Sequence, residues 1–148
     1  MKFIDYLEVS DIELNIPFQS KKRLFEQLAL KMGENTKETR KIYNALVKRE
    51  KIGVTSLGNG VALPHGQCLD DKDIRIRIVR LNKAVNYESV DDTKIQLVVC
   101  LLFPNKTEIP HEKFLKQVGE VFKKHRLYRE IISCETAQEV YSLLLRES

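Results

Sequence analysis

Apolar positions along this chain change their period several times, and each change marks an element. Glu13-Leu14-Asn15-Ile16 alternates polar with apolar and stops at Pro17, as an edge strand does. Leu24, Phe25, Leu28, Ala29 and Met32 then recur at helical spacing between an N-cap at Ser20 and a stop at Gly33. Thr36 is expected to cap a second helix whose apolar face is Ile42, Tyr43, Leu46 and Val47, and which carries Arg49 and Glu50 at its end. Val61-Ala62-Leu63 reads as a short strand ending at Pro64. Ile74-Arg75-Ile76-Arg77-Ile78 alternates cleanly, which predicts one packed face and one wet face bearing the arginines; 85–87 is expected to extend that pairing after a turn. The run from Ile95 to Phe103 is almost continuously apolar, the pattern of a central strand covered on both sides. Helical spacing returns with Phe114, Leu115, Val118, Val121 and Phe122, then Leu127 to Ile132, then Val140, Tyr141, Leu144 and Leu145 behind a capping box at Thr136 and Glu139. A strand, two helices, several strands and more helices give an α/β fold with helices on both faces of one sheet.

The 148 residues suit one domain, expected to span residues 1–148, with enough chain for a core that needs no disulfide or metal. No apolar run approaches the ~20 residues that cross a bilayer, and the first residues hold no apolar signal core, so a cytoplasmic protein without membrane insertion is expected. Cys68, Cys100 and Cys134 are odd in number and widely spaced, and predict neither a zinc site nor a disulfide framework. Cys100 reads as a core residue, and Cys68 lies three positions after His65. Basic residues cluster at Lys21-Lys22-Arg23 and Lys123-Lys124-His125-Arg126, on helices with apolar inner faces. Without aromatic interleaving they predict solvated faces or a docking patch for a protein, not a nucleic-acid site. His125, in the second cluster, reads as a surface residue.

The chemistry concentrates in the segment from Glu50 to Gly66, which runs through Gly58-Asn59-Gly60 and Val61-Ala62-Leu63 to Pro64-His65-Gly66. A histidine between proline and glycine at a strand end is presented rather than buried, and imidazole is a nucleophile near neutral pH. A phosphorylated ring carries close to two negative charges and needs donors around it. The candidate donors are backbone N–H groups of Gly58, Asn59 and Gly60 and the hydroxyls of Thr55 and Ser56. By themselves the glycines form neither a P-loop nor a dinucleotide fingerprint, and a hairpin turn is their plainer reading.

The same segment resembles the signature of the enzyme IIA domains of the fructose/mannitol type from the bacterial sugar phosphotransferase system. Glu50, Leu57, Gly58, Val61, Ala62, Leu63, Pro64, His65 and Gly66 meet that pattern without a mismatch. Gln67 departs from the basic residue expected after Pro-His-Gly. The resemblance implies a three-layer α/β/α sandwich with a mixed parallel and antiparallel sheet. It implies that His65 accepts a phosphoryl group on Nε2 from an HPr-type phosphocarrier, with no cofactor and no metal. The second histidine that lines such sites matches His111, which opens a helix after Pro110, where helix N–H groups favour a phosphate. The arginine near the active histidine matches Arg49, whose planar fork suits a phosphate. Glu50 is expected to pair with Arg49 or to cap a loop amide. Leu57, Leu63 and Leu69 are expected to form an exposed docking surface. The opening from Ile4 to Asn15 and the segment from Ile95 to Pro104 look like the nitrogen-regulatory branch, whose phosphorylation state controls binding to target proteins. The alternatives are a sugar-specific component that hands phosphate to a IIB domain, and a regulatory binding module of the same fold that never turns phosphate over.

Overall fold

The computed structural model describes residues 2–71, 73–87, 93–106 and 110–148. After two short 3-10 helices at Phe3–Tyr6 and Val9–Asp11, the chain forms β1 (Ile12–Ile16), α1 (Lys21–Met32) and α2 (Thr36–Ile52). Four strands follow, β2 (Ser56–Gly58), β3 (Val61–Ala62), β4 (His65–Leu69) and β5 (Arg75–Val85), then β6 (Ile95–Pro104). The helices α3 (His111–Phe122), α4 (His125–Ser133) and α5 (Ala137–Glu147) complete the order. Asn35, one position before the expected cap, closes the start of α2 by accepting from the Glu38 amide at 2.9 Å. Asparagine and threonine are both good caps, and spacing alone does not separate neighbours.

The strands form one mixed sheet in the order β1-β5-β6-β3-β2, with β4 also paired to β6. β5 runs antiparallel to β6; β1 is parallel to β5, and β3 and β4 are parallel to β6. β6 is central, as its apolar run predicts. Leu97, Val99, Leu101 and Phe103 point toward α3, α4 and α5, whereas Val98, Cys100 and Leu102 point toward α1 and α2. Two apolar layers therefore sandwich the sheet, and the expected three-layer architecture is the one observed.

The arginine face of β5 is covered rather than wet. Arg75 lies under α2, donating to Glu38 Oε1 at 2.6 Å and to the Met32 carbonyl at 2.7 Å. Arg77 meets Glu13 at 2.7 Å. Further along the strand Arg80 is buried, and its guanidinium donates to the carbonyls of Ile131, Ile132 and Cys134 at the end of α4. Among the described residues, no helix is long and apolar enough to cross a membrane.

Candidate functional site

The site is built around a corner of the chain. β3 and β4 lie in line along the same edge of β6, with Val61 beside Leu97 and His65 beside Leu101. Leu63 and Pro64 join them, and the Leu101 amide donates to the Pro64 carbonyl at 3.0 Å. Gly66 faces α2, where an added Cβ would stand 3.1 Å from the Ala45 methyl, so this position needs a small residue. Strand alternation sends His65 the other way, onto the face shared with Leu101 and Phe103.

His65 is half-buried, less open than its flanking proline and glycine suggest. Its Nδ1 is 2.9 Å from the Leu63 carbonyl oxygen. A carbonyl can only accept, so Nδ1 carries the proton and the lone pair sits on Nε2. Burial holds the ring's pKa below the ordinary imidazole value; the Leu63 bond opposes that, the nearby Arg49 charge reinforces it, and Glu50 opposes it. The ring is accordingly neutral at neutral pH.

Arg49 and Glu50 reach the site from the end of α2. Arg49 is half-buried, and its Nη1 donates to the Gly53 carbonyl at 3.1 Å. Glu50 caps a loop amide, as one expectation had it, but its ionic partner is Lys21 rather than Arg49. It accepts from the Thr55 amide at 3.2 Å and the Thr55 hydroxyl at 2.5 Å, and lies 2.8 Å from Lys21 Nζ. The Thr55 carbonyl in turn accepts from the Leu63 amide at 2.7 Å, which ties this cluster to the histidine corner. The Thr55 hydroxyl proton is thus already spent on a carboxylate, contrary to the donor role expected for it.

The glycine turn does not reach the ring. Gly58 pairs with Val61, leaving Asn59 and Gly60 as a two-residue hairpin with both φ values positive, 54° and 93°. Val61 and His65 lie four residue steps apart along the edge of β6, about 13 Å at the usual rise. The turn packs instead under α4, where a Cβ on Gly60 would come within 2.5 Å of the Tyr128 hydroxyl. The Gly58 amide is taken by Ser56 Oγ at 3.1 Å. Gly58, Asn59 and Gly60 are therefore hairpin residues, and Ser56 supports them.

His111 begins α3 and stacks on Phe103, with ring centroids 4.3 Å apart. Phe103 lies beside Gln67, two residues past His65 on the same sheet face. Among the described residues, the buried His111 Nε2 has no hydrogen-bond partner, and burial lowers the ring's pKa. Among the described residues, no group of three or more His, Cys, Asp or Glu side chains is arranged to hold a metal ion. Burial pushes the Cys68 thiol up to about 11, so it is protonated and unreactive at neutral pH.

A sequence profile of the phosphoenolpyruvate-dependent sugar phosphotransferase system, EIIA 2, matches residues 5–147. The chain belongs to this family. Among its IIA relatives, a nitrogen regulatory protein of Bradyrhizobium diazoefficiens is 32% identical over 126 residues, 84% of this chain and 82% of that protein. A nitrogen regulatory protein of Pseudomonas aeruginosa is 28% identical over 134 residues, 89% of this chain and 87% of that protein. The crystal structure of nitrogen regulatory protein IIA-Ntr from Neisseria meningitidis superposes with a TM-score of 0.87 at 30% identity, over 95% of this chain and 97% of that one. The mannitol IIA of Escherichia coli shares the fold, with a TM-score of 0.73 at 19% identity over 93% of this chain and 98% of that one.

A backbone carbonyl on the second ring nitrogen of His65 is what the chemistry of the sequence asks for, but three particulars of this IIA site are not named there: that the carbonyl is that of Leu63, the Lys21 partner of Glu50 and the Phe103 platform under His111. The first had a local signal, since a carbonyl two residues before a strand-end histidine is within reach of its Nδ1. The expected docking leucines are not exposed. Leu63 and Leu69 are buried, and Leu57 packs against the α3 layer beside Gly119.

Proposed function

We propose that this IIA chain is a phosphoryl carrier of the nitrogen-regulatory branch, with residues 1–148 acting as one cytoplasmic domain and His65 Nε2 as the acceptor. The observation that carries the proposal is the Nδ1–Leu63 bond, which leaves a neutral ring with its lone pair on the free nitrogen. In the proposed step that lone pair attacks the phosphorus of a phosphohistidine on an HPr-type donor. The new N–P bond forms as the donor's N–P bond breaks, and the electron pair returns to the donor ring. Catalysis of such a transfer is mostly in-line positioning and charge stabilisation. Arg49, close enough to His65 to shift its pKa, supplies positive charge to the phosphoryl oxygens. His111, on the same sheet face and with a buried ring nitrogen that lacks a partner among the described residues, orients His65 or bonds the phosphoryl group. Glu50 and Thr55 act one step away, holding the loop beside Leu63. No cofactor enters the scheme.

The names of the relatives at 28–32% identity support the regulatory branch over sugar transport. Incubation with enzyme I, HPr and radiolabelled phosphoenolpyruvate tests the proposal. The expected label is acid-labile, base-stable and absent from His65→Ala. An unlabelled wild-type chain beside an active control acceptor refutes it and favours a binding module that does not turn phosphate over.

A further inference from the structure

The charge of this chain is unevenly placed. α1 and α2 together carry ten Lys and Arg against three Glu, a net +7, whereas the whole chain is +4, so everything else is net −3. These helices form the layer opposite the face onto which His65 points. Three residues join them, so they lie antiparallel with a groove between.

That groove is roomy and continuous. One part, of about 540 Å³, is lined by Ala29, Leu30, Thr39 and Tyr43 between Lys22 and Arg40. The next, of about 330 Å³, continues past Tyr43 over Phe25 and Val47 to Glu50 and Lys51. Lys22 and Tyr43 line both. The floor is apolar and the rim is basic. Among the described residues, Lys22, Arg40 and Lys51 have no acidic partner within ion-pair distance, although all three are exposed. Among the described residues, two of the three exposed large apolar side chains belong to this layer, Leu30 at 67% and Ile52 at 79%.

We infer that the groove between α1 and α2 is a docking site for an acidic amphipathic helix of a partner protein. An apolar floor takes a row of side chains spaced i, i+3, i+4 and i+7. Unspent cations on the rim select carboxylates on the flanks of that row and steer the encounter. From Thr36 to Lys51 the groove is about 22 Å long, the length of roughly four helical turns. A nucleic-acid backbone would satisfy the rim but leave the apolar floor unused. The groove lies across the sheet from the side onto which His65 points, except at its Glu50–Lys51 end, which adjoins Arg49; an occupant of the part between Ala29 and Tyr43 leaves the His65 face open.

The probe is a fluorescein-labelled helical peptide of about 16 residues, with leucines on one face and glutamates elsewhere, read by fluorescence anisotropy. A peptide of the same composition with shuffled leucines is the control. The expected result is saturable, salt-sensitive binding, with amide shifts confined to α1 and α2. The triple variant Lys22→Glu, Arg40→Glu, Lys51→Glu, which changes exposed residues only, weakens it at least about tenfold, as does shuffling. Leu30→Asp weakens it about threefold. No saturation by about 1 mM, equal affinity for the shuffled peptide, or indifference to charge reversal overturns the inference. So does tighter binding of a single-stranded oligonucleotide or of anionic phosphatidylglycerol vesicles to the same face. A dimer in sedimentation that Leu30→Asp dissolves assigns the groove to a second copy of the chain instead.

Discussion

Removing the Glu50 carboxylate is the sharpest single perturbation of the region around His65. Thr55 is 7% exposed, and its amide and hydroxyl both donate to Glu50, whose side chain is 9% exposed. Glu50→Ala leaves two buried donors without an acceptor, at about 1.5 kcal/mol each for bonds to a charged group. Lys21, at 26% exposure, is free to rehydrate, and its ion pair adds less than about 1 kcal/mol. The expected loss is therefore about 3 kcal/mol, and at roughly 2–4 °C per kcal/mol for a chain of this size the melting temperature falls by about 6–12 °C. Glu50→Gln keeps one of the two acceptor oxygens and loses the other together with the charge, so it costs about 1.5 kcal/mol, less than Glu50→Ala. Combining Glu50→Ala with Thr55→Val removes the hydroxyl donor together with its acceptor, leaving only the residue-55 amide unpaired, and is less than additive by about 1–2 kcal/mol. Urea melts followed by circular dichroism measure the wild type, these three variants and Thr55→Val alone. Equal costs for Glu50→Ala and Glu50→Gln, or strict additivity in the cycle, refute the claim that the carboxylate holds Thr55.

The pH dependence of stability has a definite sign. Burial lowers the pKa values of His65 and His111 from 6.5, so on acidification the unfolded chain binds protons first. Stability then declines as pH falls below about 6.5 and through the folded values; urea melts across that window show it, and a rise in stability there, or a slope that His65→Ala and His111→Ala leave unchanged, contradicts it. Glu50 opposes the lowering at His65, so Glu50→Gln is expected to move that ring's pKa further down in an NMR titration. Gly60→Ala combines a φ of +93° with a clash against Tyr128 and should cost about 2 kcal/mol or more; calorimetry tests it, and Tyr128→Ala in the same chain should recover the clash but not the backbone strain. Arg80→Met leaves the Ile132 and Cys134 carbonyls at the end of α4 without this donor, while Ile131 keeps the Cys134 amide, and should cost about 3 kcal/mol, with amide exchange fastest in α4; uniform exchange across the chain speaks against that local anchor.

Most of the architecture was legible because burial leaves a periodic trace. The unbroken apolar run of β6, the caps at Ser20 and Thr136 and the stripes of α1 to α5 each named their element. Alternation failed on β5 for a physical reason. Period two separates two faces but does not say what covers them, and the partners of Arg75 and Arg77 come from 37 and 64 residues away. Proximity in sequence misled in the opposite direction. Gly60 is five residues before His65, yet an extended chain turns five residues into a distance across the sheet. β4 itself was not foreseen, since a short segment beginning at a histidine and holding one glutamine and one glycine has little apolar periodicity. The histidine, by contrast, announced itself through its neighbours, and Arg49 and Glu50 through their place at the end of a clearly patterned helix.

The proton on His65 is directed by an oxygen only two positions earlier in the same bend of the chain. Acceptor and orienting group therefore travel as one unit. The surrounding surface can be rewritten for new clients, residue by residue, without changing which nitrogen is left to react.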